Sequence, residues 1–410
     1  MLDAETNFPA VALPPPLTIE KWIYGGKGLA RWERLAVLVP FVLPGEKAKV
    51  RIERRLSGHA EAAPLEIIEP SAARRTPACP YFGRCGGCHY QHSDYAFQLE
   101  QKCEILRETL RRTARLAPPE QIEVIAGEPW GYRNRAQFHL KGGALGYLEA
   151  ASSRFCPVEN CPICSPEINQ ALEVLRRMSR QPRFPHFLQR LEIFSNGREF
   201  QLNVLEADRP PARRFFEWCA EGLPGVMNSA LDYAAAGYVF RVSRRSFFQV
   251  NRFLLDRLVE LAVENARGQT AVDLYAGVGL FSLALAGRFE RLIAVEAGAS
   301  AAADLVFNAS RNAALIEVHK TTAEAFLSRL ERPPDFILAD PPRAGLGKPV
   351  VRELLRLKPP EIRLVACDPV TLARDLGLLA RGGYRLEALT LIDLFPQTYH
   401  FETLARVRVE

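Results

Sequence analysis

The sequence predicts an α/β protein in which a doubly wound parallel sheet, over residues 241–410, follows an N-terminal β-barrel and a mixed α+β middle segment. Three observations carry this. From about Arg241, short apolar runs ending in a polar or reactive residue alternate with helix-length segments. Residues 17–69 read as all-β, with glycine turns between short alternating runs. Between these blocks, residues 74–92 are rich in cysteines and turn residues, and 120–240 mix strand-like and helical patterns.

In the first block, Gly25-Gly26-Lys27-Gly28 and Pro44-Gly45-Glu46 are turn signals between runs such as Leu35–Pro40 and Ala48–Ile52. Several short strands over some fifty residues make a small closed barrel, the architecture oligonucleotide-binding folds use. A linking helix is expected within 93–119, from about Ser93 to Arg115. Tyr95, Leu99, Leu106 and Leu110 fall near one face, and Ser93-Asp94 can cap its start. Residues 74–92 and 120–240 then form a central domain. There Tyr132-Arg133-Asn134-Arg135-Ala136-Gln137-Phe138 interleaves basic and aromatic residues, a pattern of stacking plus phosphate contact or of a plain solvated strand. In the last block the strands are Thr270–Tyr275, Arg291–Glu296, Asp335–Asp340 and Arg363–Cys367. Ligands of such sheets bind at the carboxyl ends of the strands, where these polar residues sit.

A chain of 410 residues exceeds one ordinary hydrophobic core, in keeping with several domains. Its 53 Lys plus Arg against 47 Asp plus Glu give a net charge of +6, a mild lean toward a polyanionic partner that establishes none. No apolar run approaches the roughly 18 residues that span a membrane. Met1–Pro16 shows no basic segment followed by an apolar one, and Pro14-Pro15-Pro16 reads as a stiff lead-in. No secretory signal and a cytoplasmic location are therefore expected. Nine cysteines in such a compartment point to metal or catalysis before crosslinks.

Asp273-Leu274-Tyr275-Ala276-Gly277-Val278-Gly279 closes the first strand of the last block. Glycines at 277 and 279 allow a tight turn into a helix and a close approach of backbone to a ligand. Glu296 ends the next strand, where a carboxylate can accept both hydroxyls of a ribose. The third glycine of a pyrophosphate fingerprint is missing. An acid ahead of the glycines suits the cationic sulfonium and amino group of S-adenosylmethionine.

Cys367 stands at a strand end just before a helix expected to begin near Thr371. A helix N-terminus, with Arg343 or His400 nearby, would depress the thiol pKa and make a better nucleophile. Asp340-Pro341-Pro342-Arg343-Ala344-Gly345 ends the preceding strand, and Phe395–Glu402 adds a carboxylate near the C-terminus.

The chain resembles the 23S rRNA (uracil-5-)-methyltransferase family. The resemblance runs from Gly25 to Val407 and rests on CGGCxxQH at Cys85–His92, SFFQVN at Ser246–Asn251, DPPRAG at Asp340–Gly345 and FPQTxHxE at Phe395–Glu402. It implies a TRAM-type barrel, an iron–sulfur segment and a Rossmann-like, S-adenosylmethionine-dependent methyltransferase domain. It also implies Cys367 as nucleophile, Glu402 as base, and Gln249, Tyr275, Glu296 and Asp340 as cofactor contacts beside Gly277 and Gly279. The expected partner is RNA, most readily 23S rRNA in a single-stranded or unfolded region, met by a monomer with no membrane attachment. Two positions depart from the family: Leu280 stands where Asn is frequent, and Asp368 follows Cys367 where Asn is usual. A carboxylate pointing at the thiol would raise its pKa.

The residue types fit the chemistry. Carbon 5 of uracil is a poor nucleophile, and thiolate addition at carbon 6 activates it. A carboxylate must then remove the carbon 5 proton so that the cysteine can leave. Cys79, Cys85 and Cys88 supply three thiolates in one loop, and Cys156, Cys161 and Cys164 compete to be the fourth. Four thiolates suit zinc or an iron–sulfur cluster. The resemblance favours [4Fe–4S] and, through Cys161-Pro162-Ile163, Cys161.

Rival readings are RNA cytosine-5 methylation, which would want a cysteine in the motif occupied by Asp340-Pro341-Pro342, and methylation of transfer RNA. A noncatalytic RNA-binding or metal-sensing protein on the same fold is a third; intact Cys367 and Glu402 argue against it.

Overall fold

The computed structural model describes residues 13–410, so the expectation about a secretory signal falls mainly on residues outside those described. The chain forms two compact units. One runs to Ile105 and takes in Gln397–Tyr399; the other comprises Leu106–Pro396 and His400–Glu410.

In the first unit, β1 (Leu17–Ile23), β2 (Lys27–Trp32), β3 (Leu35–Pro40), β4 (Lys47–Leu56) and β5 (His59–Glu69) close into a barrel in the order β1-β2-β3-β5-β4. Alternation drives it: Ile19, Val37, Val39, Val50 and Ala60 point inward and are almost fully buried. Gly28 is required by space, because a Cβ there would lie 2.6 Å from Val42 and 2.8 Å from Ile19. The cysteine loop that follows packs Tyr90 flat on Trp22, with ring centroids 3.9 Å apart. Asp94 then caps α1 (Tyr95–Thr109) by accepting the Phe97 N–H at 2.8 Å. Beyond Thr109 the expected helix widens into a π-helical turn, Leu110–Ala114, and stops at Arg115 in the left-handed region, φ 57°.

The second unit continues with β6 (Glu123–Ile125), β7 (Arg135–Lys141), β8 (Ala144–Leu148), β9 (Phe155–Pro157), α2 (Pro166–Met178), β10 (Leu188–Ser195), β11 (Phe200–Ala207), α3 (Arg213–Gly222) and β12 (Val226–Met227). A hairpin of β13 (Leu231–Ala235) and β14 (Tyr238–Val242) follows, then α4 (Leu255–Val263). The last block runs β15 (Gly268–Leu274), α5 (Leu280–Leu285), β16 (Phe289–Val295), α6 (Ala299–Arg311), β17 (Glu317–His319), α7 (Ala323–Leu327), β18 (Phe336–Ala339), α8 (Gly347–Leu357), β19 (Glu361–Ala366), α9 (Pro369–Arg381), β20 (Tyr384–Ile392) and β21 (Glu402–Val409).

Two sheets organise this unit. One has six strands in the order β12-β11-β10-β7-β8-β9; the other has eight, β17-β16-β15-β18-β19-β21-β20-β6. Strands β15 to β19 pair in parallel, as their apolar runs require, and β21 closes the fold antiparallel to β19 and β20. Glu123–Ile125, far away in sequence, pairs along Thr390–Ile392 as the edge strand. No helix among the described residues is long and apolar enough to cross a membrane.

Candidate active site

In the eight-stranded sheet the chain leaves β15 toward β16 and β17 on one side and reaches β18 on the other. The loops after β15 and β18 therefore diverge, and a crevice opens at their carboxyl ends. Tyr275, Gly277 and Gly279 all take positive φ there (61°, 57° and 96°). Gly279 is required by packing, since a Cβ would lie 2.5 Å from Leu305. Gly277 instead faces open space. The Glu296 carboxylate accepts the N–H of Gly277 at 2.9 Å and of Gly298 at 2.6 Å, so two backbone amides fix its orientation. Asp273 is fully buried; Ser282 donates to one of its oxygens, and the other has no hydrogen-bond partner among the described residues. Burial, with Asp340 and Glu296 adding and Ser282 opposing, pushes Asp273 up to about 7.

Cys367 follows β19 directly. The pairing of Ala366 with Thr403 brings the next residues along the two strands, Cys367 and Glu402, to the same end of the sheet. Glu402 is 3% exposed, and its Oε1 has no hydrogen-bond partner among the described residues. Burial, then the nearby Asp340, push it well above the ordinary carboxylate range, and burial pushes Asp340 up to about 7. The Cys367 thiol is likewise pushed up, to about 12, by burial and then by Glu402 and Asp340; Arg343 opposes this. The sequence expectation of a depressed thiol is thus corrected: two carboxyl groups and a desolvated setting outweigh one guanidinium and a helix N-terminus.

The departure at Asp368 has a benign geometry. Its side chain turns away to cap α9, accepting the N–H of Val370 at 2.9 Å and of Thr371 at 3.0 Å. Asn would cap equally well. Leu280, the second departure, is a buried core residue at the start of α5.

Two loops are held against this end of the sheet by acids that sequence reasoning missed. After Asp340, the loop is stitched to α9: Leu346 N–H donates to Asp375 at 2.7 Å, Arg374 to the Ala344 carbonyl at 2.7 Å, and Thr371 Oγ1 to the Arg343 carbonyl at 3.1 Å. The loop carrying Gln249 hangs on buried Asp304, which accepts from Ser243, Ser246 (2.6 Å) and Arg241 (2.9 Å). Asn251 then donates to the Leu394 carbonyl at 3.0 Å, tying this loop to the segment that leads into Phe395. Gln249 itself is buried. Asp304 lies 58 residues beyond Ser246 and Asp375 lies 29 beyond Leu346, so no local pattern announces either contact.

Other expected sites fare differently. The Tyr132–Phe138 segment is internal: Tyr132 and Phe138 are fully buried, and Arg135 is bound by Glu192 at 2.7 Å and the Ser246 carbonyl at 2.9 Å. Its basic and aromatic residues serve the core rather than an RNA surface. Cys79, Cys85 and Cys88 lie in a loop of the first unit and Cys161 in the second. Among the described residues, no three His, Cys, Asp or Glu side chains are gathered into a metal-binding group. Cys161 instead shares a hydrogen bond with Cys164, which lowers its thiol pKa. Cys156 is buried in β9 beside Tyr147.

Comparison with known proteins places this arrangement. Residues 225–407 match the model of the family described as tRNA (Uracil-5-)-methyltransferase. The chain is 31% identical to an uncharacterized RNA methyltransferase of Aquifex aeolicus, over 97% of this chain and 99% of that one. It is 34% identical to a 23S rRNA (uracil(1939)-C(5))-methyltransferase RlmD of Salmonella typhimurium, over 92% of each. Its fold is similar to the crystal structure of Pyrococcus abyssi tRNA (uracil-54, C5)-methyltransferase in complex with S-adenosyl-L-homocysteine, with a TM-score of 0.75 at 23% identity, over 96% of this chain and 100% of that one. With identity above 30% over nearly its whole length, the chain belongs to the RNA (uracil-5-)-methyltransferase family.

Proposed function

We propose that this protein methylates carbon 5 of a specific uridine in RNA, with S-adenosylmethionine as methyl donor and Cys367 as the nucleophile that adds to carbon 6. The observation that carries the reading is Glu402: a nearly inaccessible carboxyl group with one oxygen unpaired, at the same strand ends as the thiol. Burying such a group costs stability, and a base that must meet a substrate proton repays the arrangement in function. Bound S-adenosylmethionine supplies an electrophilic methyl group. Gly277 leaves room for it, Glu296 and Gln249 would hold it, and the unpaired Asp273 oxygen and Asp340 complement its positive charge. Tyr275 and Gly279 shape the same turn.

The Cys367 thiol gives up its proton to solvent, the sulfur adds as thiolate to carbon 6 of a uracil turned out of its stack, and the carbon 5–carbon 6 electron pair moves into an enolate that makes carbon 5 the nucleophile. After carbon 5 has taken the methyl group, Glu402 removes the carbon 5 proton and the carbon–sulfur bond breaks. Its elevated pKa makes it a stronger base once ionised. The substrate best supported is 23S rRNA, on the likeness to the RlmD enzyme; a transfer RNA uridine is the alternative, on the family model matched by residues 225–407. Mapping 5-methyluridine in both RNAs from cells lacking the protein decides between them, and loss at no site in either would overturn the activity.

A barrel over 17–69, a central domain of 74–92 and 120–240, and a catalytic domain from 241 are the proposed organisation. We further propose Cys79, Cys85, Cys88 and Cys161 as ligands of a [4Fe–4S] cluster. The support is chemical: soft thiolates, and a Gly87 N–H that donates to the Cys85 sulfur at 3.4 Å. Anaerobic protein should contain about four irons per chain; stoichiometric zinc instead would sink the cluster.

A further inference from the structure

An open cleft lies where α1 ends, between its last turns and the segment Leu116–Glu120. Arg107, Arg111 and Arg115 line it, four residues apart. In an α-helix a four-residue step overshoots a full turn by about 40°. The π-helical turn Leu110–Ala114 winds less per residue, so the second step falls back toward the line of the first. Arg107 is spent on the wall of the cleft, donating to the carbonyls of Pro119 and Glu120 at 3.3 and 3.2 Å. Arg111 and Arg115 are exposed, and among the described residues neither has a carboxylate at ion-pair distance. Arg112 next to them is paired with Glu108 at 3.2 Å, and Glu120 is the one acid lining the cleft.

The barrel is the obvious competitor for RNA, yet six of its cations already face a glutamate. Lys27, Arg31, Lys47, Lys49, Arg51 and Arg54 each lie within 4.0 Å of a glutamate of the same barrel. The arginine cleft is also well placed mechanically. Its π-helical turn packs on α9 so closely that a Cβ on Gly377 would sit 3.0 Å from Ala114 backbone. The helix that starts beside Cys367 is thus the one on which the cleft rests.

We propose that Arg111 and Arg115 bind consecutive phosphates of the substrate RNA, seating the strand in register with the nucleophile. This rests on the RNA-methylating reading above. The test uses full-length protein with Arg111→Ala/Arg115→Ala and the conservative Arg111→Lys/Arg115→Lys. The alanine pair should weaken binding of a long RNA roughly 10- to 100-fold at low salt and lower its log–log salt slope by about 1.4, two single-strand phosphate contacts. The lysine pair should restore most of both. S-adenosylhomocysteine affinity should stay within about twofold, which shows that the variants fold. Unchanged RNA affinity and salt slope in the alanine pair would overturn the proposal, even with methylation intact. If wild type methylates no RNA but the salt slope still falls as stated, the activity fails and the binding cleft stands.

Discussion

Two glutamates show how differently this molecule uses buried charge. Glu46 in the barrel unit is fully buried, like Glu402 in the catalytic unit. Glu46 accepts from Arg74 at 2.6 Å and from the Leu43 and Ser71 amides at 2.8 and 3.2 Å. Burial pushes its pKa up, but these partners together outweigh burial and hold it below the ordinary value. Glu402 has burial without such partners and rises. A carboxylate with every lone pair used is architecture; one left unpaired at a strand end, beside a thiol and a second acid, is poised for a ligand.

The sharpest test of that contrast is catalytic. Cys367→Ala should lower methyl transfer at least about 1,000-fold while S-adenosylhomocysteine binds within a few-fold. RNA containing 5-fluorouridine should trap wild type as an adduct stable in denaturing gels, because fluorine cannot leave as a proton. No adduct with RNA and cofactor bound would remove the covalent step.

Next in size, Glu402→Gln should slow turnover roughly 100- to 10,000-fold and accumulate the covalent complex on natural RNA. Turnover at the wild-type rate would assign the base elsewhere. In wild type, the single-turnover rate should rise with pH through the neutral range, where Asp340 sheds its proton.

Stability should move in opposite directions at the two glutamates. The Glu46 contribution is present above its ordinary pKa of 4.5 and lost as acid protonates it below that value, because its folded pKa is lowered. Glu46→Ala should therefore cost about 3 kcal/mol at pH 7, leaving Arg74 unpaired. The folded pKa of Glu402 is raised, so its contribution is full below 4.5 and is lost as pH rises. Glu402→Gln should raise the melting temperature at pH 8. A fall at both positions, measured by calorimetry, would break the distinction.

The smallest effect is expected at Asp368. Since its carboxylate caps α9, Asp368→Asn should change activity less than about threefold, and Asp368→Ala should cost about 1 kcal/mol of stability. A large gain in rate with Asn would show that the carboxylate does act on the thiol.

What was legible in the sequence was periodic or local. The barrel strands, the parallel strands of the last block and the turn at Gly277 and Gly279 follow from alternation, apolar runs and glycines that only certain backbones need. The candidate residues could be named because each sits at a strand end or in a short motif. Three matters were decided by tertiary structure alone. Tyr132–Phe138 reads as a surface strip but is core, since burial depends on what packs over a strand and not on its own pattern. Asp304 and Asp375 anchor the two loops from far along the chain. The protonation of Cys367, Asp340 and Glu402 depends on the folding of β18, β19 and β21 side by side. Residue types along a chain carry reference pKa values; only the folded arrangement supplies the desolvation and neighbouring charges that move them.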